Sequence, residues 1–145
     1  MNGMDVTADI RTPEISQKAS LIAAQPVVRE ALLDMQREAA RQYDVVMDGR
    51  DIGSVVLPKA TVKIFLTASA EVRAHRRCKE LQEKGQKVDY DQILKDIRQR
   101  DYQDTHRDIA PLKMTRDSVK LDTSDMTIDQ VIDAMKKIIG EKVGL

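Results

Sequence analysis

The stretch Val45-Val46-Met47-Asp48-Gly49-Arg50-Asp51-Ile52-Gly53 constrains this chain more than any other. Three apolar residues, two of them β-branched, run into a polar turn bracketed by glycines. A buried parallel strand that ends at a working loop has this form. Glycine lets backbone pass close to a ligand or take positive φ. Arg50 and Asp51 then stand at the carboxyl end of the strand, the edge where open α/β sheets bind ligands. The plainer alternative is a tight turn carrying a surface ion pair, a common arrangement after a strand.

Other segments extend the pattern. Residues 61–68, TVKIFLTA, form the clearest strand, and SVKLD at 118–122 is a short last one. Residues 5–7 read as an edge strand. Thr12-Pro13-Glu14 starts a helix with Ile15, Ala19, Ile22 and Ala23 on one face and Ser20 near it. Pro26 stops that helix and opens a second, to about Gln42, striped by Val28, Ala31, Leu32 and Met35 with Arg29 beside the stripe. Ser69 caps a helix that ends at Gly85 and buries Ala74, Cys78 and Leu81. Asp89 with Gln92 opens a helix from Tyr90 to about Arg107, and Thr127 with Gln130 opens the last one. Its Ile128, Val131, Ile132, Met135, Ile138 and Ile139 fall at core-packing spacing. Strands alternating with helices imply an α/β fold, a parallel sheet with flanking helices. Three strands make a thin sheet of that kind.

Composition excludes several classes. Charged residues are 33% of the 145 and balance to zero, so no basic excess points to nucleic acid or an anionic membrane. A lone cysteine fits a reducing cytoplasm, and neither it nor the two histidines are spaced as metal ligands. No apolar run spans a bilayer. Aromatics are 3%, too few for a base-stacking platform.

The charges that remain are placed unusually. The inward stripe of the Tyr90 helix begins with Ile93 and Ile97 and continues with Arg100, Asp104 and Arg107. An inward charge is costly unless paired or met by a ligand; the alternative is a helix end laced with i,i+4 pairs in solvent. On the Ser69 helix, Arg73, Arg76 and Arg77 share one side without matching acids. Arginine forks suit phosphate oxygens, although most such clusters are solvated faces. Arginines with interleaved aspartates suit a nucleotide: guanidiniums for phosphate, carboxylates for ribose hydroxyls or a base amino group.

The motifs GRDIG after a strand, KIFLTAS with RAHRR, RDYQDTHR followed by APL, and SVKLDTS, in that order, resemble bacterial cytidylate kinases, as do QKAS and PVVRE. The resemblance runs from Asn2 to near the C-terminus. It implies a P-loop nucleoside monophosphate kinase fold, here truncated. Residues 1–42 would be a remnant of the monophosphate-binding domain, and residues 43–145 the rest of the core with a lid near 73–90. It also implies transfer of the γ-phosphoryl of ATP to CMP or dCMP with Mg²⁺. By match, Ser20, Arg29 and Asp51 resemble residues that read the cytosine edge. Arg50, Arg100, Asp104 and Arg107 resemble those that hold ribose and α-phosphate, and Arg73 and Arg77 resemble lid arginines that close on the moving phosphoryl. No residue stands out as a strong general base, in keeping with a reaction driven by positioning and electrostatics.

One departure is large. The family opens with a strand and a glycine-rich loop that cradles the ATP phosphates through its backbone and a lysine. The glycines here are Gly3, Gly49, Gly53, Gly85, Gly140 and Gly144, and none sits in such a loop. The matching part corresponds to the last two-thirds of the usual family chain. The expectation is a chain that keeps much of the CMP surface, binds neither ATP nor Mg²⁺ tightly, and is inactive alone. The alternative role is a non-catalytic CMP-binding or self-associating fragment, its contacts made through apolar surface bared by the missing strands. Nucleotides are the expected partners, with neither nucleic acid nor membrane.

Overall fold

Punctuation residues set the helices where the sequence places them. A computed structural model describes residues 3–7, 9, 10, 12–23 and 25–144, without the side chains of Pro13, Ser16, Gln17 and Ser20. It divides into two units, Met1–Met47 and Asp48–Leu145.

In the first unit, helix α1 spans Pro13–Ala23. Thr12 caps it, its hydroxyl accepting from the Ile15 amide at 3.2 Å. Helix α2 spans Pro26–Gln42 with proline in its first turn, where the missing N–H costs nothing. None of its described residues is buried, and Leu32 and Met35 of the expected stripe are exposed. Residues 5–7 form no strand. The Asp5 carboxylate instead accepts from the Thr7 amide at 2.9 Å, a local turn that competes with sheet pairing.

Residues 45–47 correct a larger expectation. They are not a strand, and Val46 is fully exposed. β-branched residues favour extended backbone, but a strand also needs a neighbour to satisfy its amides and carbonyls. Among the described residues the sheet has two strands, not three, and these pair with each other.

The second unit begins with a wide turn at Ile52–Val56, in which the Val56 amide reaches Asp51 O at 3.3 Å and the Leu57 amide reaches Ile52 O at 2.7 Å. Strand β1 (Ile64–Thr67), helix α3 (Ala70–Glu83), helix α4 (Tyr90–His106), strand β2 (Val119–Asp122) and helix α5 (Ile128–Val143) follow. The strands are parallel, Ile64 opposite Val119 and Thr67 opposite Asp122. Both are shorter than the sequence pattern. The helix pair between them is the crossover that a parallel pair requires.

The caps are as read: the Ser69 hydroxyl accepts from the Val72 amide, Asp89 from Gln92, and Thr127 with Gln130 completes a reciprocal box. Gly85, at φ +72°, takes the left-handed turn that ends α3. The buried apolar residues are Val56, Ala74, Cys78, Leu81 and Leu121. Helix α5 departs from its pattern: no described residue of it is buried, and Ile128, Ile132 and Ile139 are exposed. Apolar spacing shows which face a helix can bury, and a neighbour must still supply the cover. No helix among the described residues is long and apolar enough to cross a membrane.

A buried lysine fixes the wide turn. The Lys63 side chain is 6% exposed, and its Nζ donates to Pro58 O and to Asp117 Oδ2, each at 2.6 Å. Its stem passes Gly53 so closely that a Cβ there would lie 3.3 Å from Lys63 Cδ. The hydrogen bond from Lys63, and then that from Thr115, lowers the Asp117 carboxyl to about 2. The turn and the approach to β2 are thereby tied through one ammonium group.

Candidate functional site

Two of the expected residues flank the start of the wide turn. Asp51 is buried, and its carbonyl accepts from the Val55 amide at 2.8 Å, which fixes its backbone. Arg50 precedes it and donates from Nε to Asp104 Oδ2 at 2.9 Å. Asp104 lies on the last turn of α4 and is buried. Arg100, one turn earlier, brings its Nε to 3.9 Å from the same oxygen. The two arginines stay partly open, at 44% and 47% side-chain exposure. The carboxylate therefore gathers two guanidiniums whose outer faces still meet solvent.

Arg107 follows α4 directly and turns inward, with 16% of its side chain exposed. Its Nε donates to Ala110 O at 2.6 Å. Its Nη2 is buried without a hydrogen-bond partner among the described residues and stands 3.9 Å from Asp51 Oδ1. The loop that holds it is tight. Ala110 takes φ +51°, a left-handed conformation that is strained for alanine. The Leu112 amide returns to Asp104 O at 2.7 Å. Arg50, Asp51, Arg100, Asp104 and Arg107 are thus linked pair by pair within the second unit, three guanidiniums against two carboxylates. One positive charge is left over, with a buried N–H in reserve. Such a set can bind an anion and donate to its oxygens.

The three arginines of α3 go to separate partners. Arg73 holds Asp101 in a two-pronged pair at 2.9 and 2.5 Å and donates from Nε to Ala68 O at 3.1 Å. That hydrogen bonding raises the Arg73 pKa above its usual value. Arg76 donates to Thr123 O at 2.6 Å and to Met126 O at 3.3 Å, anchoring the turn after β2. Arg77 pairs with Glu80 at 2.6 Å on the helix surface. Hydrogen bonds from Lys84 and then Arg77 lower Glu80 to about 2. Ser20 and Arg29 belong to the first unit. Ser20 lies on α1 with its side chain outside the described atoms; Arg29, on α2, donates to Ala23 O at 3.1 Å.

Three residues escaped the reading of the sequence. Asp101 sits one position off the stripe that carries Arg100 and Asp104, so it faces α3 instead. Lys63 hides in an otherwise apolar strand pattern, where a lone polar residue was the available signal. Ala110 shows nothing in its side chain, and the proline after it favours extended backbone rather than the left-handed φ that Ala110 takes.

The family model described as cytidylate kinase matches residues 1–141. A curated cytidylate kinase of Lactobacillus johnsonii is 51% identical over 142 residues, covering 98% of this chain and 62% of that protein. One of Clostridium tetani is 49% identical over 139 residues, covering 96% of this chain and 62% of that protein. One of Desulforamulus reducens is 51% identical over 135 residues, covering 93% and 61%. The chain spans about 62% of the length of the curated relatives it matches.

Proposed function

The chain belongs to the cytidylate kinase family, and from that premise we propose that it serves phosphoryl transfer from ATP to CMP or dCMP, giving CDP or dCDP. Its own part is to hold the monophosphate nucleotide. The observation that carries this reading is the pairing of Arg50 and Arg100 on buried Asp104, next to Arg107 with its unbonded Nη2. In this reading the three guanidiniums take the α-phosphate, and Asp104 accepts from the ribose. Asp51 reads the cytosine edge, whose amino group needs an acceptor. Arg73 and Arg77 meet the phosphoryl group in transfer. Cys78, buried and unpaired, suits a reducing cytoplasm.

The family works with ATP and Mg²⁺. The residues described here do not fit that pair by themselves. No group of three or more His, Cys, Asp or Glu among them could hold a metal, and no glycine-rich lysine loop occurs in the 145 residues. For this chain alone the proposed role is therefore nucleotide binding without turnover. Calorimetric titration with CMP, beside a coupled assay of ADP release with CMP and ATP, tests both parts. Binding without ADP release is expected. Robust turnover would overturn the inactive reading, and absence of CMP binding would overturn the site.

A further inference from the structure

We infer that Asp101 is a positioning residue for Arg73, fixing its guanidinium so that its remaining N–H groups face an incoming phosphate chain. The inference rests on the proposed phosphoryl contact of Arg73.

Arg73 is locked from two directions. Its Nε is spent on Ala68 O at the end of β1, and Nη1 and Nη2 each meet one Asp101 oxygen. Three hydrogen bonds at once restrict its swing and its rotation about the long stem. One N–H on each terminal nitrogen is left over. A flexible arginine loses side-chain freedom when it grips a phosphate; one already fixed does not. The lock also spans two elements, because Asp101 belongs to α4 and follows Arg100 directly. A second cross-helix pair, Arg98 with Glu71 at 2.6 Å, holds the same faces together. The α3 arginine is thereby set in register with the α4 residues assigned to the nucleotide.

The test uses inorganic pyrophosphate as probe. Binding is followed on the Arg73 Nε–Hε NMR signal and by calorimetry, for the wild type, Asp101→Asn, Arg73→Lys and the double variant. D101N keeps the shape and removes the charge and one acceptor. It is expected to weaken pyrophosphate binding by about tenfold, as loss of a charge-assisted contact does, and to speed exchange of the Arg73 Hε proton. CMP affinity should stay within about twofold, since the nucleotide contacts are elsewhere. R73K alone should show a similar loss, and D101N should add nothing on that background. If D101N failed to fold, R73K against wild type would still decide whether the fixed guanidinium matters. Unchanged or tighter pyrophosphate binding in D101N, an equal loss on the R73K background, or pyrophosphate binding insensitive to R73K would overturn the inference. Failure of CMP binding with the pyrophosphate results as expected would sink the nucleotide reading and leave the Asp101–Arg73 relation standing.

Discussion

Asp104 is the residue on which the site turns. It is buried, and two arginines share one of its oxygens. Substituting alanine leaves Arg50 without its acceptor and Arg100 without its counter-charge, but each is half open and can rehydrate. Asp104→Ala is therefore expected to lower stability by about 1–2 kcal/mol, the low end for a lost charged hydrogen bond. CMP affinity should fall with it; urea unfolding and calorimetry read the two. Ala110→Gly should act in the opposite sense on stability. Glycine takes the φ of +51° without steric cost, so a gain approaching about 1 kcal/mol is expected, visible as a raised thermal midpoint. A lowered midpoint would show that the loop is not strained as described. Of the charges expected on an inward helical line, Asp104 is buried as the regular spacing implied, whereas Arg100 is exposed, its long stem reaching along the surface toward Asp104. The pairing of Arg50 with Asp104 was not readable, since nothing local in a sequence reports a contact 54 positions away.

Among the elements, the helices followed their signals, whereas of the expected strands those at 64–67 and 119–122 formed and those at 45–47 and 5–7 did not. A helix satisfies its own backbone, so caps such as Ser69 and Thr127 and stops such as Gly85 suffice to place it. A strand depends on a partner, and residues 45–47 carry every β signal without forming one. The element least visible beforehand is the wide turn Ile52–Val56, held by the Lys63 ammonium through Pro58 and tied to Asp117. Its pH dependence has a definite sign. The folded Asp117 value, about 2, lies below the ordinary 3.8, so the tie contributes fully above 3.8 and is lost as pH falls through about 2. Carboxyl NMR should show Asp117 titrating near that lower value, and Lys63→Met should return it toward the ordinary one. The same substitution should speed amide exchange from 53 to 57 at neutral pH while leaving α5 unchanged. An Asp117 midpoint unaffected by Lys63→Met would remove the ammonium from this role.

For the molecule as a whole, apolar side chains stay open in both units, among them Val27, Met35 and Val46 in the first and Leu66, Ile128 and Ile132 in the second. With a net charge of zero, little long-range repulsion keeps copies apart. Sedimentation velocity should show association that grows with concentration; a single monomeric species throughout would count against it. The family was legible from ordered motifs. The thin cover of α2 and α5 was not, because a periodic apolar stripe looks the same whether or not a neighbour lies against it. On the proposed reading, Arg50, Arg100 and Arg107 form one nucleotide-holding group around Asp104 and Asp51. The most direct test is titration of the labelled chain with CMP while following the three arginine Nε–Hε signals. All three should shift together along one binding curve, and Asp104→Ala should weaken that curve. Signals that stay still, or that move with different affinities, would contradict it.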